Sequence, residues 1–123
     1  MNHNNPMVSV AMASYNGGKY ISEQLDSIIS QTYTNIEIVI VDDGSADNTI
    51  NIIKDYQARY PFIFLFLNER NRGVTKTFER AVAESKGAFI AFCDQDDIWI
   101  ADKIETLVNE IGEHDAIYAN SQL

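Results

Sequence analysis

The residues best suited to chemistry are the acidic run Asp94-Gln95-Asp96-Asp97, which directly follows the apolar segment Ala88 to Cys93. Asp94 and Asp96 flank Gln95, so on a loop leaving a strand both carboxylates reach one cation. Hard oxygen donors of this kind suit Mg2+ or Mn2+, which take one or two protein carboxylates and fill their shell with substrate phosphates and water. The competing reading is a helix start, because acidic side chains also favour the positive end of a following helix. For Asp97 alone, that cap is the better reading.

A second acidic pair, Asp42-Asp43-Gly44-Ser45, stands in the same relation to the apolar Ile36 to Val41. One of its carboxylates would accept hydrogen bonds from a nucleobase edge or a ribose hydroxyl; as structure alone the segment is a turn that opens a helix. Ser14-Tyr15-Asn16 closes the first apolar run, where the Tyr15 ring either stacks on a base or packs against Gly17-Gly18. Asn71-Arg72-Gly73 and Lys76 bring positive charge to a third loop, as a phosphate contact or as solvated surface. Ile98 and Trp99 read as anchors of the acidic loop to the core. His3 and His114 have no partners at ligand spacing.

These residues need elements to hold them, and the hydrophobic pattern supplies a repeating set. Val8 to Ser14 reads as a buried strand, and Ile21, Leu25, Ile28 and Ile29 make Lys19 to Gln31 an amphipathic helix. Ile36 to Val41 is a β-branched strand, followed by Ile52, Ile53, Tyr56 and Tyr60 at helical spacing. Phe62 to Leu67 is a third strand; Val74, Phe78, Ala81 and Val82 form the inner face of a third helix that stops at Gly87. Ala88 to Cys93 is a fourth strand. Ile104, Leu107, Val108 and Ile111 face inward on a fourth helix closed by Gly112, and Asp115 to Ala119 reads as a fifth strand.

Continuous apolar strands alternating with amphipathic helices predict an α/β domain: a doubly wound, mostly parallel sheet with helices on both faces. Ligands of such sheets sit at the carboxyl ends of the strands, where the strand order reverses. Each unusual loop here lies at such an end. With 123 residues, 46% of them hydrophobic, residues 1–123 are expected to form a single domain.

The balance of 18 acidic against 9 basic residues, a net charge of −9, excludes a nucleic-acid partner and disfavours any bare phosphorylated ligand. A diphosphate would therefore need a cation held by carboxylates. Cys93 is the single cysteine, so no internal disulfide forms and a reducing, cytoplasmic location is expected. Apolar runs such as Phe62 to Leu67 fall well short of the roughly 20 residues of a transmembrane helix, and the polar start is not a secretory signal.

Taken in order, Val8-Ser9-Val10 with Tyr15-Asn16, Gln31-Thr32-Tyr33, Glu37-Ile38, Asp42-Asp43-Gly44-Ser45, Asn71 with Gly73, and Asp94-Gln95-Asp96-Asp97 resemble family 2 glycosyltransferases of the GT-A fold. The match runs from Val8 to Asn120, and Asp94 to Trp99 with Lys103 is most similar to the rhamnosyltransferase-like branch. The resemblance implies a nucleotide-sugar-binding domain and an inverting transfer of a hexose or deoxyhexose from a UDP- or dTDP-linked donor to a saccharide or lipid-linked acceptor, in surface polysaccharide synthesis. It implies that Tyr15 stacks on the base, Asp43 binds its edge and Ala13 offers backbone contacts. Asn16, Asn71, Lys76 and Gln95 complete the donor site. Asp94 and Asp96 form the DXD motif, Asp96 as primary ligand of Mn2+ or Mg2+ and Asp94 on the ribose or a metal-bound water. The family often carries an alanine and an asparagine where this chain has Thr77 and Glu79.

Family members are about twice this length, and their general base lies beyond the position of Leu123. The chain is thus expected to be the donor half of a longer enzyme, inactive alone, whose full-length form sits at the inner membrane surface. The alternative reading is a noncatalytic nucleotide- or Mg2+-binding module such as a receiver-like domain. That reading requires an acidic pair after the first strand and a lysine after the fifth, whereas the pairs here follow the second and fourth strands and no lysine lies beyond Lys103. A dinucleotide-binding module would need a G-x-G-x-x-G turn after the first strand, which Asn16-Gly17-Gly18-Lys19 does not provide.

Overall fold

A computed structural model describes residues 5–94 and 97–111. Its elements are β1 (Val8–Ser14), α1 (Ile21–Ile29), β2 (Ile36–Asp42), α2 (Thr49–Arg59), β3 (Ile63–Leu67), α3 (Val74–Glu84), β4 (Phe89–Cys93) and α4 (Lys103–Ile111). The strands form one parallel sheet in the order β3-β2-β1-β4, with Val8 opposite both Ile36 and Phe89. The chain steps outward from β1 to β3, then returns across the sheet to place β4 on the other flank of β1. That return makes the reversal point, and the order is the 3-2-1-4 of dinucleotide-type sheets. A receiver domain has the order 2-1-3-4-5, so the receiver-like alternative is set aside on topology.

The two faces of the sheet differ. Val8, Val10 and Met12 of β1 with Ile36, Ile38 and Ile40 of β2 pack against Ile21, Leu25 and Ile28 of α1, Ile53 of α2 and Ile104 of α4. The opposite face carries Ala11, Val39 and Val41 against Ala81 of α3. Small side chains on this second face let α3 approach closely. The alternation extends past the strand, so Asp42 and Asp43 leave β2 toward opposite faces. At the amino end of the sheet, buried Glu37 accepts from Ser9 Oγ at 2.5 Å and from the Lys86 N–H at 2.7 Å, fixing where β4 begins. A Cβ on Gly87 would stand 2.7 Å from the Met7 carbonyl oxygen, so only glycine fits this approach.

Several expectations need correction. α1 is shorter than Lys19 to Gln31, because the turn at Gly17 and Tyr20 precedes it and Ser30 ends it. The inner face of α3 is Thr77 and Ala81; Val74 and Val82 are exposed. Thr77 is accommodated inside because its hydroxyl donates to the Gly73 carbonyl and accepts from Asn68 Nδ2. Complete cover on both faces holds for β2, and for β1 save the half-buried Ala13, while β3 and β4 are partly open among the described residues. Trp99 is buried as expected, but Ile98 is exposed. The expected fifth strand Asp115 to Ala119 and the helix stop at Gly112 lie outside the described residues. No described helix is long and apolar enough to cross a membrane.

Candidate functional site

At the carboxyl ends of β1, β2 and β4, where the order reverses, lies a pocket of about 310 Å3. Ala13, Tyr15, Asp43, Asn71 and Asp94 all line it, drawn from three strand ends and the loop before α3. Tyr15 follows β1 and is 45% exposed, at the pocket rather than in the core. Asn16 does not line this pocket. It adopts φ 50°, and its Oδ1 accepts from the Ala46 N–H at 2.8 Å, while its own N–H donates to Ser45 Oγ at 2.8 Å. It ties the first loop to the second.

The second loop is built by its own carboxylates. Asp42, fully buried, accepts on Oδ1 from the hydroxyls of Ser14 (2.7 Å) and Ser45 (2.6 Å), and on Oδ2 from the Gly44 and Ser45 N–H groups. Asp43 turns the other way. Its Oδ1 accepts from Asn68 Nδ2 at 2.8 Å and the Arg72 N–H at 2.7 Å, and its Oδ2 from the Gly73 N–H at 2.9 Å. Gly73 at φ 95° allows successive N–H groups to converge on one carboxylate. Burial pushes the Asp43 carboxyl up, but those donors with Thr77 outweigh it and hold the group below the usual carboxylate range.

The acidic loop after β4 is arranged differently. The Asp94 N–H donates to Asp97 Oδ2 at 3.1 Å and its carbonyl accepts from the Asp97 N–H at 3.2 Å, so Asp97 closes a turn within its own loop; it does not cap the following helix as expected, because α4 begins only at Lys103. Asp94 lines the 310 Å3 pocket and also an adjoining apolar groove of about 560 Å3 walled by Val74, Phe78, Val82 and Phe92. Beside it, burial and the nearby Asp97 charge push the Cys93 thiol up to about 12, so Cys93 offers no thiolate. The donor chemistry at this wall is thus hard carboxylate oxygen, which fits Mg2+ or Mn2+ and not a soft metal. Gln95 and Asp96 lie outside the described residues. Lys103 Nζ stands 4.9 Å from the Trp99 ring centre, and desolvation lowers its pKa despite the Asp97 charge.

Lys76 stands apart from the pocket, in a polar depression with Arg72, Glu79 and Arg80. The pocket also has members that the sequence reading named without assigning them to the donor site: Ser14, Gly73, Val74, Thr77 and Phe78. Asn68 carried no motif, and its signal was its polarity at a position that the fold buries, as it does that of Thr77.

Comparison with known proteins gives a consistent picture. The sequence model described as Glycosyl transferase family 2 matches residues 9–122. A dTDP-rhamnosyl transferase of Shigella flexneri is 44% identical over 103 residues, covering 80% of this chain and 36% of its own. S. aureus TarS, solved with UDP, superposes with a TM-score of 0.80 at 32% identity, over 88% of this chain and 32% of that one. A mannosyltransferase from Pyrobaculum calidifontis, solved with GDP-Man and Mn2+, superposes with a TM-score of 0.76 at 29% identity, over 86% of this chain and 31% of that one. The chain spans about a third of the length of the curated relatives it matches.

Proposed function

The chain belongs to glycosyl transferase family 2 and has the GT-A fold, and from that premise we propose that its crevice is the donor site of an inverting glycosyltransferase. The donor would be a UDP- or dTDP-linked hexose or deoxyhexose and the acceptor a hydroxyl of a saccharide or lipid-linked saccharide, in surface polysaccharide synthesis. The carrying observation is the convergence of Ala13, Tyr15, Asp43, Asn71 and Asp94 on one pocket at the strand reversal. Similarity to proteins named for a dTDP-linked substrate or solved with UDP supports the donor class.

In this reading the Tyr15 ring covers one face of the base, a contact worth about 1–3 kcal/mol for nucleobases on aromatic side chains. A carboxylate has about four acceptor positions. The loop before α3 occupies two on Asp43 Oδ1 and one on Oδ2, and in this reading the remaining capacity of Oδ2 is assigned to a base N–H. The same hydrogen bonds hold Asp43 ionised, so it acts as an acceptor at neutral pH. Asp94 and Asp96 are the residues we assign to Mn2+ or Mg2+, a group that supplies positive charge to a departing diphosphate. The chain needs such help, since its net charge is −9. The acceptor's proton is assigned to a carboxylate in the further length that the relatives possess. Glu105 and Glu110 are exposed on α4, and Glu105 accepts from Thr32 Oγ1 at 2.7 Å, outside the pocket.

The test is a screen of UDP, dTDP and GDP, each with Mn2+ and with excess chelator, following thermal unfolding. At a hundred times its Kd a ligand adds about 2.7 kcal/mol to the folded state. Stabilisation by UDP or dTDP with Mn2+ supports the reading. No stabilisation by any of them removes it.

A further inference from the structure

The acidic loop is held from outside by side chains that the proposed site does not include. Gln24 of α1 is 3% exposed, and its Nε2 donates to the Asp94 carbonyl at 2.5 Å. One helical turn on, Ser27 Oγ accepts from the Trp99 N–H at 3.1 Å. Gln31, just past the helix and 4% exposed, donates from Nε2 to the Ile100 carbonyl at 2.6 Å and accepts on Oε1 from the Ile104 N–H at 2.9 Å. Thr32 extends the line, its N–H donating to the Ala101 carbonyl at 2.8 Å. Positions 24, 27 and 31 share one face of a helical path, so this is a single polar stripe matched to a single loop.

We propose that this stripe is a positioning device for the acidic loop, with Gln24 fixing where Asp94 stands at the crevice. The inference rests on the donor-site reading. Its physical ground is that the stripe bonds backbone atoms of the loop. Gln24 and the Asp97 turn engage both the N–H and the C=O of Asp94, so its main chain is set independently of its carboxylate, which lies at the pocket wall. Burying two glutamine amides under the sheet is costly unless each finds partners, and a helix that had only to fill space would carry leucine there. Partners of this kind around metal-binding carboxylates set ligand geometry, and their loss costs about 10- to 100-fold in metal affinity. Gln24, Ser27 and Gln31 are positioning residues, not ligands.

The experiment compares the wild-type chain with Gln24→Met, which keeps the side chain's length without its N–H, and Ser27→Ala, which removes one acceptor from a half-buried site. Calorimetry measures UDP binding with Mn2+, and separately uridine binding without metal. Emission of Trp99, the single tryptophan of the chain, reports Mn2+ arrival at the loop by quenching. The expected result is about tenfold weaker Mn2+-dependent UDP binding in Gln24→Met, a smaller loss in Ser27→Ala, and uridine affinity unchanged in both. A merely structural role would weaken both ligands together or lower thermal stability alone. Wild-type affinity for UDP with Mn2+ in either folded variant overturns the inference. Absence of metal-dependent binding in the wild type overturns the donor-site reading, and the inference with it.

Discussion

The loops after β2 and β4 are both acidic and leave the same end of the sheet, yet they are held by opposite means. The loop after β2 is secured by its own carboxylates: Asp42 closes the turn at Gly44 and Ser45, Asp47 Oδ1 accepts from the Thr49 N–H at 3.0 Å, and Asp43 gathers the loop before α3. The loop after β4 is secured by Gln24, Ser27 and Gln31, residues distant in sequence that bond its backbone. The difference teaches that an acidic loop can be held either by its own carboxylates or by amide and hydroxyl side chains of a neighbouring helix. Carboxylates that already bind several N–H and O–H groups hold the fold together. A loop whose backbone is bonded by a neighbouring helix takes its shape from that helix.

The largest expected effect sharpens the first half of that contrast. Asp42→Ala removes the acceptor of four hydrogen bonds, one from the buried Ser14 hydroxyl and three from the exposed Gly44 and half-buried Ser45, and a buried donor left unpaired costs about 1–3 kcal/mol. A loss of about 3 kcal/mol or more in urea unfolding is expected, against a small change for Asp94→Asn. Equal losses in the two would erase the distinction between the loops.

Asp43→Asn comes next, with an expected loss of about 2 kcal/mol from replacing a charged acceptor by an amide. Its sign in pH is fixed. The folded-state pKa is depressed, so the stability from Asp43 is fully present above the ordinary carboxylate value of about 3.9 and is lost as pH falls through the lowered value. The variant should therefore show a shallower acid-side decline in stability than the wild type. Parallel acid profiles would remove the ionised Asp43 from the account.

Smaller still in stability is Tyr15→Ala, whose exposed ring contributes little to the core. Uridine affinity is the quantity expected to fall, by roughly tenfold, as judged from stacking energies. Unchanged affinity in calorimetry would move the base elsewhere.

The central strands and the acidic loops were legible in the sequence because β-branched runs such as Ile36 to Val41 admit one reading and the loops interrupt them sharply. α3 was misread at Val74 and Val82 because hydrophobicity was taken as burial. The small residues Ala11 of β1 and Ala81 of α3 meet on this face, so Thr77 enters the interior while Val74 lines a groove. The placement of Asp43 was legible, but its bonds to Arg72 and Gly73 were not, since they depend on a loop closing over some thirty intervening residues. Gln24 left no local trace at all. A polar residue on the buried side of an amphipathic helix announces a partner without naming it.

The most direct test of the account is a calorimetric titration of UDP into this chain with Mn2+ present and again with the metal chelated, repeated for Asp96→Asn. The account predicts binding in the wild type that disappears with chelator, and an Asp96→Asn chain that stays folded and loses the metal-dependent binding. UDP bound equally well with and without metal would contradict it.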